Sequence, residues 1–508
     1  MGVSSADPPD NPQIAVSVIV SEKELDWSPV RFFLDGLSGA LRKGTVYVDR
    51  ETVGGNGSRS LSALVFLERS ILPWGKATGQ RADVLPLPPQ AEDLAPCDVI
   101  VDFRPGPAAA EICRRARYGL WSFSCQDHAA IFSALARGES ALECRLYRQT
   151  GDDGARRTIA TARVQGKHAL APTLTFAGEK SVQLALRELR RLALLRKGAE
   201  GEWAQHVTIT PRLAGLAQYG LRMARLATAR AIERMRPSGS PGAPFGLRTG
   251  AGSLADIDPA TGVDLPRPDR TFCADPFLIE KDGAVYCFYE EFPFDTGIGK
   301  IAVALLSDDG ATRLGDALTA DHHLSFPFVF EHGGDTFMLP ETINARRLEI
   351  WRCTQFPLQW ELHTVAFEGQ QLADPLLFRQ GEDWWLFANA SHDTFGDFSS
   401  ELNLYKVDGP DLRRIEPHPL NPVVIGSDVA RGGGRVFEAD GRLYRYSQDN
   451  SGNIYGHGLN LMEITELSDT GYAEHRVAHF TPDRIPGALG CHHADAVAGR
   501  FIVDVRLP

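Results

Sequence analysis

Five related segments follow one another in the carboxy-terminal half of the chain, and this repetition constrains the fold more than any other feature. Each contains a short apolar run, a turn with Gly or Asp, and an aromatic-rich strand. Their starts are 48 to 61 residues apart, at Cys273, Ser325, Ala373, Arg431 and His492. That spacing holds about four strands, the size of a β-propeller blade. We therefore predict an all-β five-bladed β-propeller, with a two-sheet sandwich as the alternative.

Polar residues near the start of each repeat are the first candidates for a functional site. The innermost strands of a propeller surround a central funnel, so residues at equivalent positions converge there although they are distant in sequence. Two Ala-Asp-Pro triplets, 99 residues apart, occupy matching repeat positions. This geometry selects Asp275, Asp374, Arg431, His492, His493 and Asp495.

Other polar residues of the repeats are candidates for binding a substrate. Amides, carboxylates and aromatic faces suit sugar recognition, whereas arginines and histidines suit the departing anion of an activated sugar. These additional candidates are Glu290, Arg435, Gln448, Asp449 and Tyr455. We predict no metal site, because adjacent residues of a strand point to opposite faces, so that His493 and Asp495 alone would share one.

The amino-terminal half alternates apolar runs with helical patterns. We predict strands at 13–20, 45–48, 62–67 and 98–102, and helices at 28–41 and 107–117. Such alternation is typical of a mainly parallel α/β sheet. Longer helices are predicted at 181–197 and 211–236, of which the second is rich in arginine. That helix either packs on the domain with a solvated basic face or contacts a membrane surface.

Composition limits the class of protein. The 508 residues carry a net charge of −12, which argues against a general nucleic-acid binder. No apolar run approaches 18 residues, and the beginning of the sequence does not resemble a secretory signal. Eight scattered cysteines without CxxC spacing are typical of buried thiols in a reducing compartment, so we expect a cytoplasmic protein.

The predicted domain organisation has four parts. Residues 1–12 form a disordered tail, and residues 13–200 form the α/β domain. Residues 201–268 contain the basic helix and a Gly/Pro-rich linker, and residues 269–508 form the propeller.

The triplets Ala274-Asp275-Pro276 and Ala373-Asp374-Pro375 resemble those of the furanosidase superfamily, which comprises arabinanases, invertases and levansucrases. The resemblance implies that Asp275 is the base or nucleophile and that Asp374 stabilises the transition state. The fourth-blade Glu that serves as acid in that superfamily is absent here, where a run from Arg431 to Gly434 stands. Glu341 is the best replacement for that acid.

A closer resemblance is to the propeller domain of the plant glucosamine inositolphosphorylceramide transferase family. It lies in FCADPFLIEKDGAVYCFYEE, FPFVFEHGGDTFMLPET, ADPLLF, GGGRVFEADGRLYRYSQDNSGNIYG and HHADA, within residues 270–505. The stretch from Asp98 to Ser124 is similar to the formyltransferase fold, and there Ser122 and Ser124 replace the Asn and His expected for formyl transfer. This resemblance implies a degenerate formyltransferase-like, Rossmann-like domain.

Together these observations favour a glycosyltransferase-like enzyme of glycan, polysaccharide or glycolipid biosynthesis. It would take a nucleotide-activated sugar and a glycan or lipid-linked acceptor, without a cofactor, and contact the inner membrane face through residues 211–236. A furanosidase-like glycoside hydrolase is the first alternative. A non-catalytic sugar-binding module, or a formyltransferase acting on a nucleotide amino sugar, is the second.

Overall fold

A computed structural model describes residues 13–50, 59–71, 83–151, 155–195, 202–203, 213–235, 243–307, 310–452 and 455–507. The chain divides into two compact units, Met1–Ala229 and Arg230–Pro508. The predicted tail 1–12, residues 236–242 of the predicted linker, and the side chains of Arg230 and Arg234 lie outside the described residues.

The first unit is an α/β unit built on one eight-stranded sheet. Its strands are β1 (Ile14–Ser21), β2 (Leu41–Asp49), β3 (Leu85–Pro86), β4 (Val99–Asp102), β5 (Leu120–Phe123), β6 (Ala141–Gln149), β7 (Arg156–Gln165) and β8 (Glu202–Trp203). Its helices are α1 (Ser28–Asp35), α2 (Arg59–Ile71), α3 (Ala110–Cys113), α4 (His128–Arg137), α5 (Leu170–Leu195) and α6 (Leu213–Met235). The strand order is β3-β2-β1-β4-β5-β6-β7-β8.

The sheet is mixed. Strands β1 to β5 pair in parallel, as predicted, but β6, β7 and β8 are antiparallel. The strand predicted at 62–67 is wrong, because this segment is part of helix α2. Leu61, Val65 and Glu68 are buried there at helical spacing, a pattern that a short apolar run conceals.

Three predicted helices have different bounds in the structure. Helix α1 ends at Asp35, and Gly39, in the left-handed conformation, precedes strand β2. Helix α3 is a single turn, whereas α5 starts at Leu170, eleven residues earlier than predicted. None of the helices in the described ranges is long and apolar enough to cross a membrane.

The second unit contains five sheets of the predicted propeller. The first blade contains β11 (Thr271–Lys281), β12 (Ala284–Pro293), β13 (Lys300–Ser307) and β14 (Gly310–Leu318), and the second contains β15 (Ser325–His332), β16 (Asp335–Glu341), β17 (Leu348–Gln355) and β18 (Gln359–Ala366). The third blade contains β19 (Ala373–Gln380), β20 (Asp383–Asn389), β21 (Glu401–Val407), β22 (Ile415–Pro417) and β23 (Val424–Ile425). The fourth contains β24 (Gly432–Ala439), β25 (Arg442–Asp449), β26 (Gly458–Leu467) and β27 (Tyr472–Phe480).

Strands from both ends of this unit make the fifth blade. It combines β9 (Phe245–Ala251) and β10 (Val263–Asp264) with β28 (Ala494–Val497) and β29 (Arg500–Arg506). Strands β9 and β10 lie in the segment predicted as a linker, so the propeller begins before residue 269. The hydrogen-bonded pairing of β9 with β29 closes the ring of blades.

The innermost strands are β11, β15, β19, β24 and β28, and each contacts the next, with β28 returning to β11. We call the space that they enclose the funnel. The predicted hairpin turns are present, and Asp282-Gly283 and Asp440-Gly441 all have positive φ, as a type I′ turn requires. The repeated segments therefore place their first residues at one end of the funnel.

Candidate active site

A bulge in the innermost strand delivers each of the two predicted catalytic aspartates. The register of β11 with β12 shifts between Ala274 and Phe277, and that of β19 with β20 shifts between Ala373 and Leu376. Asp275 and Asp374 lie at these bulges with φ of 51° and 47°. Strained left-handed residues of this kind concentrate at functional sites. Both aspartates are buried, and ionised Asp275 is near enough to influence the pKa of Asp374.

A second ring of polar residues comes from the second strand of each blade. Glu290 pairs with Ala274, Glu341 with Ser325, Asn389 with Ala373 and Ser447 with Gly432. Asp504 has the corresponding place on β29, next to Val503, which pairs with Ala494. We call Glu290, Glu341, Asn389, Ser447 and Asp504 the polar ring.

Three members of the polar ring hold the next blade in place. Glu341 Oε2 accepts the backbone N–H of Asp374 at 3.0 Å, and Asn389 Oδ1 accepts that of Gly432 at 2.9 Å. Asp504 Oδ2 accepts the N–H of Asp275 at 3.1 Å. Each bond satisfies a buried amide that the bulge removes from the strand ladder.

Glu290 differs from these three residues. Its Oε1 is buried and makes no hydrogen bond of good geometry within the described residues. The nearby imidazole of His323 has its Nε2 3.3 Å from Glu290 Oε1. Burial, and then the charges of Asp275 and Glu341, raise the pKa of Glu290 well above its usual value. The environment of Glu290 therefore favours its protonated form, and its carboxyl group does not hold a blade.

The partly exposed imidazole of His323 lies next to the buried carboxyl group of Glu290. Its Nδ1 accepts the backbone N–H of Gly299 at 3.0 Å, so the neutral ring carries its proton on Nε2, the atom facing Glu290. Burial lowers the pKa of His323, which favours that neutral form. Its side chain is 24% exposed, whereas Glu290 is 6% exposed. His323 therefore presents an N–H group to Glu290, and its other ring nitrogen is occupied by the Gly299 amide.

Asp275 forms a line of charge with His492 and Asp504. His492 Nε2 lies 3.2 Å from Asp275 Oδ1, and His492 Nδ1 lies 2.9 Å from Asp504 Oδ2. Burial disfavours both charged forms, yet the flanking carboxylates raise the pKa of His492 to about 10, and His492 lowers the pKa of Asp275 to about 2. Asp275 is consequently ionised at neutral pH beside an imidazolium.

Donor atoms of Asp275, His492 and Asp504 lie within 4.8 Å of one another, close enough to be tested as a metal site. A histidine must give up a ring proton to bind a metal. Here each ring nitrogen faces a carboxylate, which favours the protonated ring. The arrangement fits an ion-paired line better than a set of metal ligands.

Asp504 accepts more hydrogen bonds from the backbone than the other two residues of this line. Besides the Asp275 amide, it accepts the backbone N–H groups of His492 and His493, both at 2.9 Å, and it is fully buried.

We expect Asp504→Ala to lower the free energy of unfolding by about 3–5 kcal/mol, because three amides lose their acceptor and His492 loses an ion-pair partner. Urea unfolding measures this loss. Asp504→Asn retains one acceptor oxygen and should lose less; equal stability of the Asp504→Ala variant and the wild-type protein would contradict the assignment.

The pKa of His492 predicts an alkaline loss of stability. Because the folded-state value is raised, its contribution is complete below pH 6.5 and is lost as the pH rises through about 10. We expect the free energy of unfolding to fall on the order of 4 kcal/mol between pH 7 and 10. His492→Gln should flatten this fall in urea unfolding, and His475→Gln, at an exposed site, should keep it. Parallel pH profiles of wild type and His492→Gln would contradict the prediction.

Arg431 joins Asp374 to Glu341. Its Nε donates to Asp374 Oδ2 at 2.8 Å, and one of its terminal nitrogens lies 3.7 Å from Glu341 Oε2. Gln448 Nε2 donates to Asp374 Oδ2 at 3.3 Å. Burial raises the pKa of Asp374 to about 7, helped by Glu341 and Asp275 and opposed by Arg431. Asp374 therefore changes charge near neutral pH.

Tyr455 covers this end of the funnel. The Arg431 guanidinium lies 5.0 Å from the centre of its ring, and the His492 ring centre is 5.3 Å away. Tyr455 is 44% exposed. Its ring presents an aromatic face beside the charged groups, a surface on which a sugar ring can stack.

The remaining predicted residues have structural partners. Arg435 binds Asp495 through two nitrogens and donates to the Leu278 carbonyl at 2.8 Å, so the pair ties blades together. Asp449 accepts the hydroxyl of Ser451 in the loop after β25, and its carboxylate lies 3.1 Å from His479 of β27. His493 is fully buried between Phe277 and Phe326. We therefore remove Arg435, Asp449 and Asp495 from the residues expected to bind substrate directly.

The Gly432-Gly433-Gly434 run allows neighbouring strands to approach closely. A Cβ at Gly432 would lie 3.1 Å from that of Asp374, and one at Gly434 would collide with the Ala494 carbonyl. The glycines are thus required by strand packing around Asp374.

The α/β unit does not place a catalytic pair at the formyltransferase positions. Ser122 Oγ accepts from Arg156 at 3.0 Å, and Ser124 Oγ accepts the Arg145 N–H at 2.8 Å. Asp127 caps helix α4 by accepting the Ala130 N–H. These side chains have structural partners, and the formyltransferase resemblance stays a prediction.

One family of known proteins is similar in sequence to most of the propeller. Residues 260–487 match the family model described as "Glucosamine inositolphosphorylceramide transferase 1, N-terminal". The matched range includes Asp275, Glu290, Glu341 and Asp374 and ends before His492. The propeller is thus of the type found in the amino-terminal part of those proteins.

Curated relatives named "Glucosamine inositolphosphorylceramide transferase 1" are similar to part of the chain. The protein of Arabidopsis thaliana is 37% identical over 219 residues, 42% of this chain and 28% of the relative. That of Oryza sativa subsp. japonica is 37% identical over 207 residues, 40% of this chain and 27% of the relative. The chain spans little more than a quarter of the length of the curated relatives it matches.

Solved structures similar to this chain include glycoside hydrolases. A family 117 enzyme of Zobellia galactanivorans has a TM-score of 0.34 and 10% identity, with 52% of this chain and 91% of that chain covered. A GH43_1 enzyme from Xanthomonas citri has a TM-score of 0.34 and 14% identity, with 47% and 88% covered. A GH32 β-fructofuranosidase of Bombyx mori has a TM-score of 0.33 and 12% identity, with 42% and 52% covered.

Proposed function

We propose that this chain is a glycosyltransferase-like enzyme of glycan, polysaccharide or glycolipid synthesis, with its active site in the funnel. The observation that carries the proposal is a set of buried carboxyl groups that different blades bring to one end of the funnel. Their surroundings lower the pKa of Asp275 to about 2, raise that of Asp374 to about 7, and raise that of Glu290 well above its usual value. Titratable groups whose pKa values are pushed apart mark an acid and a base. The names of the curated relatives support transfer of a sugar.

Each group has a role in breaking and forming a glycosidic bond. As the bond between the anomeric carbon and the leaving oxygen breaks, its electron pair goes to that oxygen, which takes the proton of Glu290. Asp275 stabilises the positive charge that develops at the anomeric carbon. In one route the acceptor oxygen bonds to that carbon while its hydroxyl proton passes to Asp275. In the other, Asp275 bonds to the carbon first, and the acceptor oxygen then displaces it while the hydroxyl proton passes to the Glu290 carboxylate. Arg431 fixes Asp374 next to the same carbon. Glu290 thus replaces Glu341 as the proposed acid, because Glu341 holds the Asp374 amide.

A nucleotide-activated sugar is the donor that we propose, with a glycan or lipid-linked hydroxyl as acceptor. The phosphate of such a donor departs as an anion and needs less help from an acid than an alcohol does. Helix α6 is the proposed membrane contact of a cytoplasmic protein. In the described part of α6, Tyr219 donates to Glu68 and Arg222 donates to the Leu135 carbonyl, so the helix is attached to its unit while Leu221 is exposed.

Radiolabelled nucleotide sugars test the proposal. The purified full chain is incubated with a panel of donors, with and without vesicles containing inositol phospholipids and sphingolipids, or soluble oligosaccharides. We expect labelled product when donor and acceptor are both present. Absence of product with every donor and acceptor, together with saturable sugar binding, would favour a sugar-binding module instead.

Glycoside hydrolysis is the second candidate function. The pair of an ionised Asp275 and a protonated Glu290 is the combination that glycosidases use. The same assay distinguishes it, because release of free sugar from an oligosaccharide in the absence of another acceptor would favour hydrolysis.

A further inference from the structure

A cavity of about 300 Å³ is lined by residues of the fifth and first blades. Its volume is at the lower end of the range for ligand pockets. The lining is mostly apolar and comes from β9, the segment before β11, and all four strands of the first blade. The lining residues are Leu247, Leu265, Pro266, Arg267, Pro268, Cys273, Cys287, Tyr289, Ala304, Ala311 and Arg313.

The cavity exists because the first blade has small side chains where other blades have large ones. Cys287 on β12 pairs with Ala304 on β13. At the corresponding positions, three residues before the polar ring, the second blade pairs Met338 with Trp351.

The third and fourth blades also have large side chains at the positions that correspond to Cys287 and Ala304. The third blade pairs Leu386 with Tyr405, and the fourth pairs Tyr444 with Glu463. Met338 and Trp351 pack against the first blade and fill the equivalent space between the first two blades. Since protein interiors are otherwise close-packed, the hollow beside Cys287 and Ala304 follows from the small side chains of the first blade.

Two arginines lie at the cavity, and they differ in their partners. Arg313 binds Glu291 at 2.8 Å and also pairs with Asp316, so its charge is neutralised. Arg267 donates to the Thr271 carbonyl and has no carboxylate within ion-pair distance among the described residues. It belongs to an exposed segment, next to Pro266. The cavity therefore combines an apolar interior with one uncompensated cation at its edge.

We propose that this cavity binds an amphiphile with a single alkyl chain and an anionic head group, a phosphate or a carboxylate. The chain fills the space beside Cys287 and Ala304, where burial of methylene groups provides the affinity. The head group binds Arg267, whose guanidinium donates in a fork that matches a phosphate or carboxylate. This assignment does not depend on the chemistry proposed for the funnel.

Binding of dodecyl phosphate to the full chain tests the proposal, with isothermal titration calorimetry as the measurement. We expect saturable binding, at least ten-fold weaker binding of dodecanol, and no binding of inorganic phosphate. Laurate in place of the phosphate distinguishes the two kinds of head group. Equal affinity for dodecanol and dodecyl phosphate, or no saturable binding of either, would overturn the proposal.

Two variants separate the interior from the edge. Ala304→Leu removes space for the chain and should weaken binding of both dodecyl phosphate and dodecanol roughly ten-fold, as expected for about two displaced methylene groups. Arg267→Gln should weaken dodecyl phosphate and leave dodecanol unchanged. Arg270→Gln, at an exposed arginine paired with Asp295 outside the cavity, is the matched control. If Arg267→Gln binds dodecyl phosphate as wild type does while remaining folded by circular dichroism, the site is not as proposed.

Discussion

Replacing Asp275 by Asn is expected to lower the rate of sugar transfer about a thousand-fold, and also to lower the free energy of unfolding, because His492 loses a buried ion-pair partner. The asparagine has the same shape and accepts the left-handed backbone conformation that the bulge imposes. It lacks the negative charge that faces the anomeric carbon, and electrostatic stabilisation of this kind is commonly the largest single contribution to catalysis. Initial rates at saturating donor, with the unfolding midpoint as a second measurement, check the prediction.

A matched control is present on the same hairpin. Asp282 has φ of 53° in the exposed turn between β11 and β12, so Asp282→Asn makes the same chemical change at a similar backbone conformation but away from the funnel. It should retain the full rate. A fully active Asp275→Asn protein would mean that the funnel is not the catalytic site.

Replacing Glu290 by Gln is expected to reduce cleavage of a donor with an alcohol leaving group by a factor between about 100 and 10,000, the usual contribution of a general acid, and to reduce transfer from a nucleotide sugar much less, because its phosphate departs as an anion. The amide cannot give a proton to the leaving oxygen. The loss should depend on the leaving group, since a glycosyl fluoride needs less protonation than an alcohol. The measurement is therefore the rate of each variant with a glycosyl fluoride, compared with its rate with a donor that has an alcohol leaving group.

Variants of two other glutamates, Glu280 and Glu341, serve as comparisons for Glu290→Gln. Glu280→Gln, on the exposed end of the same hairpin, should leave the rate unchanged. Glu341→Gln keeps an oxygen that can accept the Asp374 amide, so it should reduce the rate less than Glu290→Gln does. If Glu341→Gln shows the larger loss, and the loss depends on the leaving group, the acid is Glu341, as the sequence had suggested.

The propeller and part of its site could be predicted because both are written in local, repeated patterns. The alternation of apolar residues and the Gly-containing turns specify hairpins, and five similar hairpins can bury their faces only by stacking on one another. The Ala-Asp-Pro triplets marked Asp275 and Asp374 because they recur at the same place in two repeats. Glu290, Glu341 and His492 were also selected, although their partners were unknown.

Asp504 and His323 were missed for different reasons. Asp504 has the position of Glu290 in the last repeat, so alignment of the hairpin ends would have shown it as the fifth member of the polar ring. His323 precedes the second repeat in an irregular connection, and no periodic pattern marks it. Its role depends on Gly299 and Glu290, two residues of the neighbouring blade.

By itself, the amino-acid sequence determined the number of blades, the hairpin turns and the two aspartates, because repeats and turns depend on residues that are close along the chain. The tertiary structure decided which carboxyl group carries a proton, which one holds a blade, and which arginine lacks a counter-charge. These properties depend on burial and on charges from other blades, such as the effect of Asp275 on Glu290 or of Asp504 on His492. Such distances are established when the ring closes between β9 and β29.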